Sequence, residues 1–426
     1  MDDYGCVWPC LPREGARSHG HAKRRQMTAS FVHRSDRRTA VFLGIAVMAA
    51  VVAVAMLAQA AHARGGKPGK VSKVTVMTRN LYLGADLSPG TQATSVPALV
   101  DGAGQILNQV DENKFQIRAK GLATEILNKR PDLVGLQEAA LWRDAPCSAP
   151  IIPPSATHVR RGGNFLGLLL HQLNRGGKTY RLVVAEPEFD FQVWANTDED
   201  RNTGSPFGCD IEGRLTMRDA ILARRGAGVK TKNPKGGHYK TLLQEKPGGV
   251  SLDVTRGWTS VNAKVGDSPR FRFVNTHLEA FDNQTSNHTN QGTDVGNGKV
   301  RKAQAQELLA PHGPANANKP VILVGDLNSD VKTAIKPGDG AADWWLLQHG
   351  MAERSTRDPL SCCLQADVLR VGAGGDPSQF DHKVDHVMTN DPGEVRRGRQ
   401  AVTGRRPHNG FWDSDHAGLF STLRFR

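Results

Sequence analysis

The stretch VILVGDLNSD, from Val321 to Asp330, constrains the fold more than any other part of the chain. Four apolar residues run without a polar break, and a single Gly then gives way to Asp326 and Asn328. A short unbroken apolar run reads as a strand covered on both faces, as in sheets flanked by other layers. Ligand sites gather at the ends of such strands, where side chains reach solvent. An Asp-x-Asn at a strand end is also ordinary turn chemistry, so this segment alone decides nothing.

Five further segments repeat the arrangement. VMTRN brings Asn80 to a strand end, LVGLQE brings Glu138, FVNTHL brings His277 and KVDHV brings Asp385, while WDSDHAG sets Asp415 and His416 beside the last strand. Each has a bland reading: Asn80 as a turn cap, Glu138 as a surface charge, His277 as a satisfied core histidine. Six coincidences at once are a poorer account than one site assembled from six strand ends.

The pattern between these segments alternates helix and strand. Gln105 to Lys129 places Ile106, Val110, Ile117, Leu122 and Ile126 at helical spacing, and Pro131 stops the run. Leu166 to Asn174, Lys299 to Ala310 and Asp343 to His349 also read as helices. TYRLVVAE, RDAILARRG, GWTSVNAKV, RFRFVNTHL and AGLFSTLRF read as strands, with turn-rich insertions at about 187–215 and 230–256. No repeat or break in pattern divides residues 74–426, which predicts one α/β domain. Among lesser features, Asp86 reads as a helix or turn cap or as a residue supporting the site from behind, Arg218-Asp219 as a surface ion pair or a phosphate contact, Arg301 and Lys302 as solvated helix charges, and Trp344-Trp345 as core.

The N-terminus needs a separate reading. Residues 39–63 are uncharged, follow Arg34, Arg37 and Arg38, and end in Ala61-His62-Ala63. That predicts an export signal cleaved after Ala63 or, since the apolar run is long, an uncleaved anchor through residues 39–61. The protein is therefore expected to be secreted or membrane-anchored. Residues 1–38 are a basic cytoplasmic segment or a start placed too early, because Met27 opens a more ordinary basic region. RGGKPGKVSK, residues 64–73, is a flexible linker. Beyond the signal lie four Cys, an even number in an oxidising compartment. Cys147 and Cys209, in Gly/Pro-rich loops, are expected to pair. Cys362-Cys363 forms either a vicinal disulfide or a buried thiol pair, and no Cys or His spacing points to zinc. Removing residues 1–63 takes away eight Lys/Arg and four Asp/Glu, so the net charge falls from +13 to +9. Such a surface favours polyanions.

In chain order the segments N, QE, NTHL, GDLN, VDH and SDH resemble the endonuclease/exonuclease/phosphatase superfamily, over about Val74 to Phe425. NLYLGADLSP and SCCLQAD look like its exported bacterial members. The resemblance implies a DNase I-like four-layer α/β sandwich: two packed mixed β-sheets flanked by helices. It also implies hydrolysis of phosphate esters with Mg2+, for which Mn2+ or Ca2+ could stand in. Residue by residue, Glu138 would be the principal metal ligand, Asn80 would complete the site through its amide oxygen, and Asp415 would assist a second metal position. Asp326 would orient or deprotonate the attacking water and Asn328 would hold the phosphate. His416, held in one tautomer by Asp385, would contact a phosphate oxygen or move a proton, and His277 would supply a second imidazole. Whether Asp326 or the His416-Asp385 pair is the base stays open. The substrate is expected to be a polyanionic phosphate ester, nucleic acid first. Sphingomyelinase or phospholipase C activity on a phospholipid headgroup and phosphomonoesterase activity are the alternatives, and a binding module with a dead site is the rival from another class. No stable protein partner is implied.

Overall fold

The computed structural model describes residues 72–148, 155–201, 204–281, 298–332, 340–355, 360–390 and 395–425, all within one compact unit, Gly69–Arg426. The export segment 39–63 and the linker up to residue 71 lie outside the described residues. Among those described, no helix is long and apolar enough to cross a membrane.

The strands are β1 (Ser72–Asn80), β2 (Leu133–Gln137), β3 (Leu141–Pro146), β4 (His158–Asn164), β5 (Tyr180–Ala195), β6 (Ile211–Arg224), β7 (Val229–His238), β8 (Leu243–Glu245), β9 (Leu252–Val254), β10 (Gly257–Val265), β11 (Phe271–His277), β12 (Val321–Asp326), β13 (Ala352–Glu353), β14 (Asp385–Thr389), β15 (Val395–Thr403) and β16 (Gly418–Phe425). The longer helices are α1 (Val96–Glu112), α2 (Phe115–Lys129), α3 (Phe165–Asn174), α4 (Lys299–Leu309) and α5 (Ala341–Gln348). One sheet runs β15-β16-β1-β2-β6-β3-β4 with β5 also on β6, and the other runs β13-β14-β12-β11-β10-β7. Both are mixed, since β1 and β2 are parallel, as are β11 and β12, while their neighbours are antiparallel.

The apolar residues sort into the layers expected of a four-layer sandwich. Val74, Val76 and Leu133 of the first sheet meet Phe273, Ile322 and Val324 of the second in the central core. Met77, Val134 and Leu136 turn outward onto α1, α2 and α3, and Val274, Val321 and Leu323 turn outward onto α4 and α5. Alternate residues of β1 and β2 thus serve two cores, which is why these strands read as apolar throughout.

Two departures from the sequence reading have local causes. The single helix expected over 105–129 is two, broken at Lys114, whose left-handed φ of 44° no α-helix continues through. Asn113, fully buried there, donates to the carbonyls of Gly84 (2.8 Å) and Asp367 (2.7 Å) and accepts from the Leu369 N–H (2.8 Å). Tying two loops together outweighs helical periodicity at that point. The insertion expected at 187–215 is largely the β5-β6 hairpin, in which bulges after Leu182 and Pro187 shift the register and interrupt the alternation that marks a strand. Trp345 packs on the outer core, whereas Trp344 is half exposed. Cys147 and Cys209 are joined, and Cys362 and Cys363 form the vicinal disulfide.

A polar bridge crosses the central core just below the strand tips. Gln137 Nε2 donates to Asn275 Oδ1, and Asn275 Nδ2 donates to the Leu136 carbonyl (3.0 Å). Gly135 leaves room for it, because a methyl group there would overlap the Asn275 carboxamide and Val324. Gly135→Ala is expected to destabilise the protein by about 1–3 kcal/mol through overpacking, read as a lower midpoint in urea.

Candidate active site

Strand direction brings the polar tips to one rim. Parallel strands contribute their C-terminal ends: Asn80 pairs in register with Gln137, just before Glu138, and His277 pairs with Asp326. Antiparallel neighbours contribute their N-terminal ends, so Asp385 at the start of β14 faces Asp326, and the loop entering β16 carries Asp415 and His416. Two buried arginines fix that loop. Arg79, paired with Glu125 of α2 (2.9 Å), donates to the His416 carbonyl (2.6 Å), and Arg118 donates to the carbonyls of Leu81 (2.8 Å) and Asp413 (3.1 Å).

The rim encloses an open cleft of about 390 Å³ lined by Glu138, His277, Asp326, Asn328, Asp415 and His416. Asn80 and Asp385 are fully buried beneath it. All eight residues nominated by the sequence therefore meet around one cavity. Asn80 Nδ2 donates to Glu138 Oε1 and Asp326 Oδ2, both at 3.0 Å. The amide oxygen expected to face a metal instead accepts the Tyr82 N–H (2.9 Å). Carboxylates can only accept, so the amide turns its donor toward them. Glu138 Oε2 accepts the Leu83 N–H (2.7 Å), and the backbone of Glu138 is held at a φ of 54°, a conformation that a non-glycine residue keeps only when its surroundings demand it.

Around Asp326 the charges alternate. Its Oδ2 lies 3.6 Å from His416 Nε2 and 3.7 Å from His277 Nε2, and its Oδ1 accepts the Asn328 N–H (2.9 Å). Burial opposes ionisation of Asp326, but the two imidazoles outweigh it and hold the carboxyl below its ordinary range. His416 Nδ1 lies 2.9 Å from Asp385 Oδ2. Burial would strip His416 of its proton, yet Asp385, Asp415 and Asp326 raise it well above its usual value. Asp385 itself is pushed up, chiefly by burial. At neutral pH the pair facing the cleft is thus an Asp326 carboxylate and a His416 imidazolium.

Glu138, Asp415 and Asp326 crowd the same wall. Asp415 is pushed up to about 6, first by burial and then by Glu138 and Asp326, against the pull of His416 and Arg118. Hard oxygen donors under mutual repulsion are a fitting set for a divalent cation, which wants such ligands and would relieve the repulsion. Glu138 and Asp415 fit that role here, and Asn80 fits as the residue that orients Glu138.

Several residues at the site escaped the sequence reading. Arg256, buried on the cleft wall, lies 3.2 Å from His277 Nδ1 and pairs with Glu279 (3.3 Å). Asp219 is no surface ion-pair partner: it is fully buried and grouped with Glu188 and His277. Burial and the neighbouring Glu188 push Asp219 well above the usual carboxylate range. The sign was a charge set directly against the apolar run AILA. Arg301 is likewise not solvated; it is 8% exposed and donates to the carbonyls of Asn328 and Ala280. Its spacing to Gln304, Ala305 and Leu308, the buried face of α4, was legible. Asp86 does cap a turn, accepting from the N–H and hydroxyl of Ser88. Cys363 of the Cys362-Cys363 disulfide lines the cleft, with its Sγ 3.8 Å from His416 Nε2.

The loop after Asp326 is pinned by a second network. Glu353 Oε2 binds Lys383 Nζ (2.5 Å) and His386 Nδ1 (2.7 Å), and His386 Nε2 bonds the Ser329 carbonyl (2.9 Å). Although burial opposes it, His386 and Lys383 hold the Glu353 carboxyl far below its ordinary range. Its contribution to stability is therefore present above the unfolded value of about 4.3 and lost as pH falls through the lower folded one. His386 is raised, against burial and Lys383, by Asp343 and Glu353. It contributes below its unfolded value of about 6.5, and that contribution is lost as pH rises through the folded value. Thermal melts of Glu353→Gln should show the largest deficit against wild type at about pH 5–6.5, shrinking toward about pH 3.

A sandwich whose rim gathers ionised carboxylates, a carboxylate-held imidazolium and hard oxygen donors is that of a metal-dependent phosphoester hydrolase. The chain belongs to the endonuclease/exonuclease/phosphatase family, whose model matches residues 103–416, a span holding every nominated site residue except Asn80. No curated protein matches the chain. Among solved structures it is similar to an endonuclease/exonuclease/phosphatase family protein from Bacteroides thetaiotaomicron, at 16% identity over 84% of this chain and 99% of that one, with a TM-score of 0.48. It is also similar to an endonuclease/exonuclease/phosphatase from Beutenbergia cavernae, at 19% identity over 83% of this chain and 72% of that one, TM-score 0.45. A third is the mannosyl-6-phosphatase of Bacteroides thetaiotaomicron, at 17% identity over 82% and 99%, TM-score 0.43.

Proposed function

We propose that the protein is an exported, Mg2+-dependent phosphodiesterase acting on nucleic acid. The observation that carries this reading is the convergence of Glu138, Asp326 and the His416-Asp385 pair on one open cleft. A divalent ion held by Glu138, with Asp415 beside it, would neutralise phosphate charge and charge developing on the leaving group. Asp326, kept ionised, orients the attacking water and accepts its proton. His416, kept protonated by Asp385, donates to a phosphate oxygen or the leaving oxygen. His277 and Arg256 add positive charge in the same cleft, and Asn328 positions the phosphate. The unequal charge states of Asp326 and His416 favour Asp326 as the base, the choice the sequence left open. Export follows from residues 39–63, either as a cleaved signal or as an anchor.

Nucleic acid is preferred because the portion after the signal carries +9 and phosphate neutralisation dominates non-specific nucleic-acid binding. The test is a panel of plasmid DNA, RNA, sphingomyelin, a sugar phosphate and a chromogenic phosphodiester, each with Mg2+ and with EDTA. Cleavage of DNA or RNA is expected in Mg2+, with loss of activity in EDTA. Activity on sphingomyelin or the sugar phosphate alone would overturn the substrate, and silence on every substrate would promote the binding-module reading.

A further inference from the structure

At the end of the first sheet farthest from the cleft, cations stand in a row across three strands. Lys73 of β1 pairs in register with Arg424 of β16, which pairs in turn with Arg396 of β15. Directly opposed residues of antiparallel strands point to the same face with their Cβ atoms about 5 Å apart. All three are exposed; Arg397 and Arg399 next along β15 are exposed too, but Arg397, registered against core Leu423, points to the other face. Among the described residues none of the five has an ion-pair partner. Asp132, in the same recess as Lys73, is committed to Arg224 (2.6 Å) and Thr75 (2.8 Å), and Asp267 there has a polar interaction of its own. Like charges directly opposed weaken a sheet, so the row works against folding unless an outside anion faces it.

Two features favour a lipid surface over nucleic acid as that anion. Only residues 64–71 separate the apolar segment from β1, and they add Arg64, Lys67 and Lys70. Eight residues span at most about 29 Å, so the row stays within short reach of whatever holds that segment. The row is also remote from catalysis. From Lys73 to Asn80 the strand runs about 23 Å.

We propose that Lys73, Arg396 and Arg424 form a docking face for anionic phospholipid headgroups that holds the domain on a membrane with its cleft facing away. This rests on the export reading of residues 39–63 and not on the chemistry of the cleft. Clustered cations near an anionic surface each strengthen binding roughly fivefold.

The test reconstitutes the full chain in vesicles of phosphatidylcholine alone and of equal parts phosphatidylcholine and phosphatidylglycerol, then reads lysine acylation by mass spectrometry. Lys73 should react at least about fivefold more slowly on the anionic vesicles, and high salt should restore its reactivity. Lys230 and Lys232, exposed on β7 of the other sheet, serve as internal controls and should not change. R396E/R424E should abolish the protection while keeping wild-type activity on a soluble phosphodiester. Equal Lys73 reactivity on both vesicles, or protection that survives R396E/R424E, would overturn the proposal. Protection by duplex DNA without vesicles would overturn it in favour of nucleic acid. A chain that separates from neutral vesicles contradicts anchoring alone, and the Lys73 comparison still decides the row.

Discussion

Glu138→Gln is expected to lower turnover about a thousandfold at saturating substrate while the protein melts within a few degrees of wild type. Gln keeps the length of the side chain and can accept one of the two hydrogen bonds that Asn80 and Leu83 donate to Glu138. It removes the full charge that makes this corner of the cleft attractive to a divalent ion, a contribution of several kcal/mol. Because Asp415 stands beside Glu138 and is pushed up partly by it, the substitution should also let Asp415 ionise more easily. Raising the Mg2+ concentration should therefore recover part of the lost activity. Near-normal turnover at moderate Mg2+ would remove Glu138 from the metal site.

His416→Ala should lower turnover at least about a hundredfold, within the usual range for a residue that transfers a proton. Asp385→Ala should fall in the same range, because Asp385 acts on substrate only by holding the imidazole at 2.9 Å and keeping it protonated. The two losses should not add: the double variant should resemble His416→Ala alone, since both remove one working unit. Additive losses would mean that Asp385 has a role of its own. His416→Ala should also flatten the alkaline limb of the pH-rate profile, which in wild type reports deprotonation of that imidazolium.

The site was more legible than the architecture around it because its residues break a pattern. Asp326 and Asn328 interrupt an apolar run, and Glu138, His277 and Asp385 do the same at their own strand ends, so the same alternation that marks the strands marks their tips. Long-range pairings leave no such mark. Nothing near Asp219 announces that Glu188, on the partner strand β5, lies beside it, and Arg256 gains its meaning only from His277 and Glu279. Local geometry was misjudged where tertiary demand wins: Lys114 breaks a run of good helical spacing because buried Asn113 must reach Gly84 and Asp367. Asn80 shows the finer limit. Its position was readable, but which end of its amide faces the carboxylates follows from the Tyr82 N–H, which no motif encodes.

The central claim, that six strand tips gather around one divalent ion, is tested most directly by anomalous X-ray scattering from crystals grown with Mn2+. A peak at coordination distance from a Glu138 carboxylate oxygen, on the side facing Asp326 and His416, is the result expected. Crystals whose cleft shows no peak there, or whose manganese lies instead among Glu188, Asp219 and His277, would contradict the account.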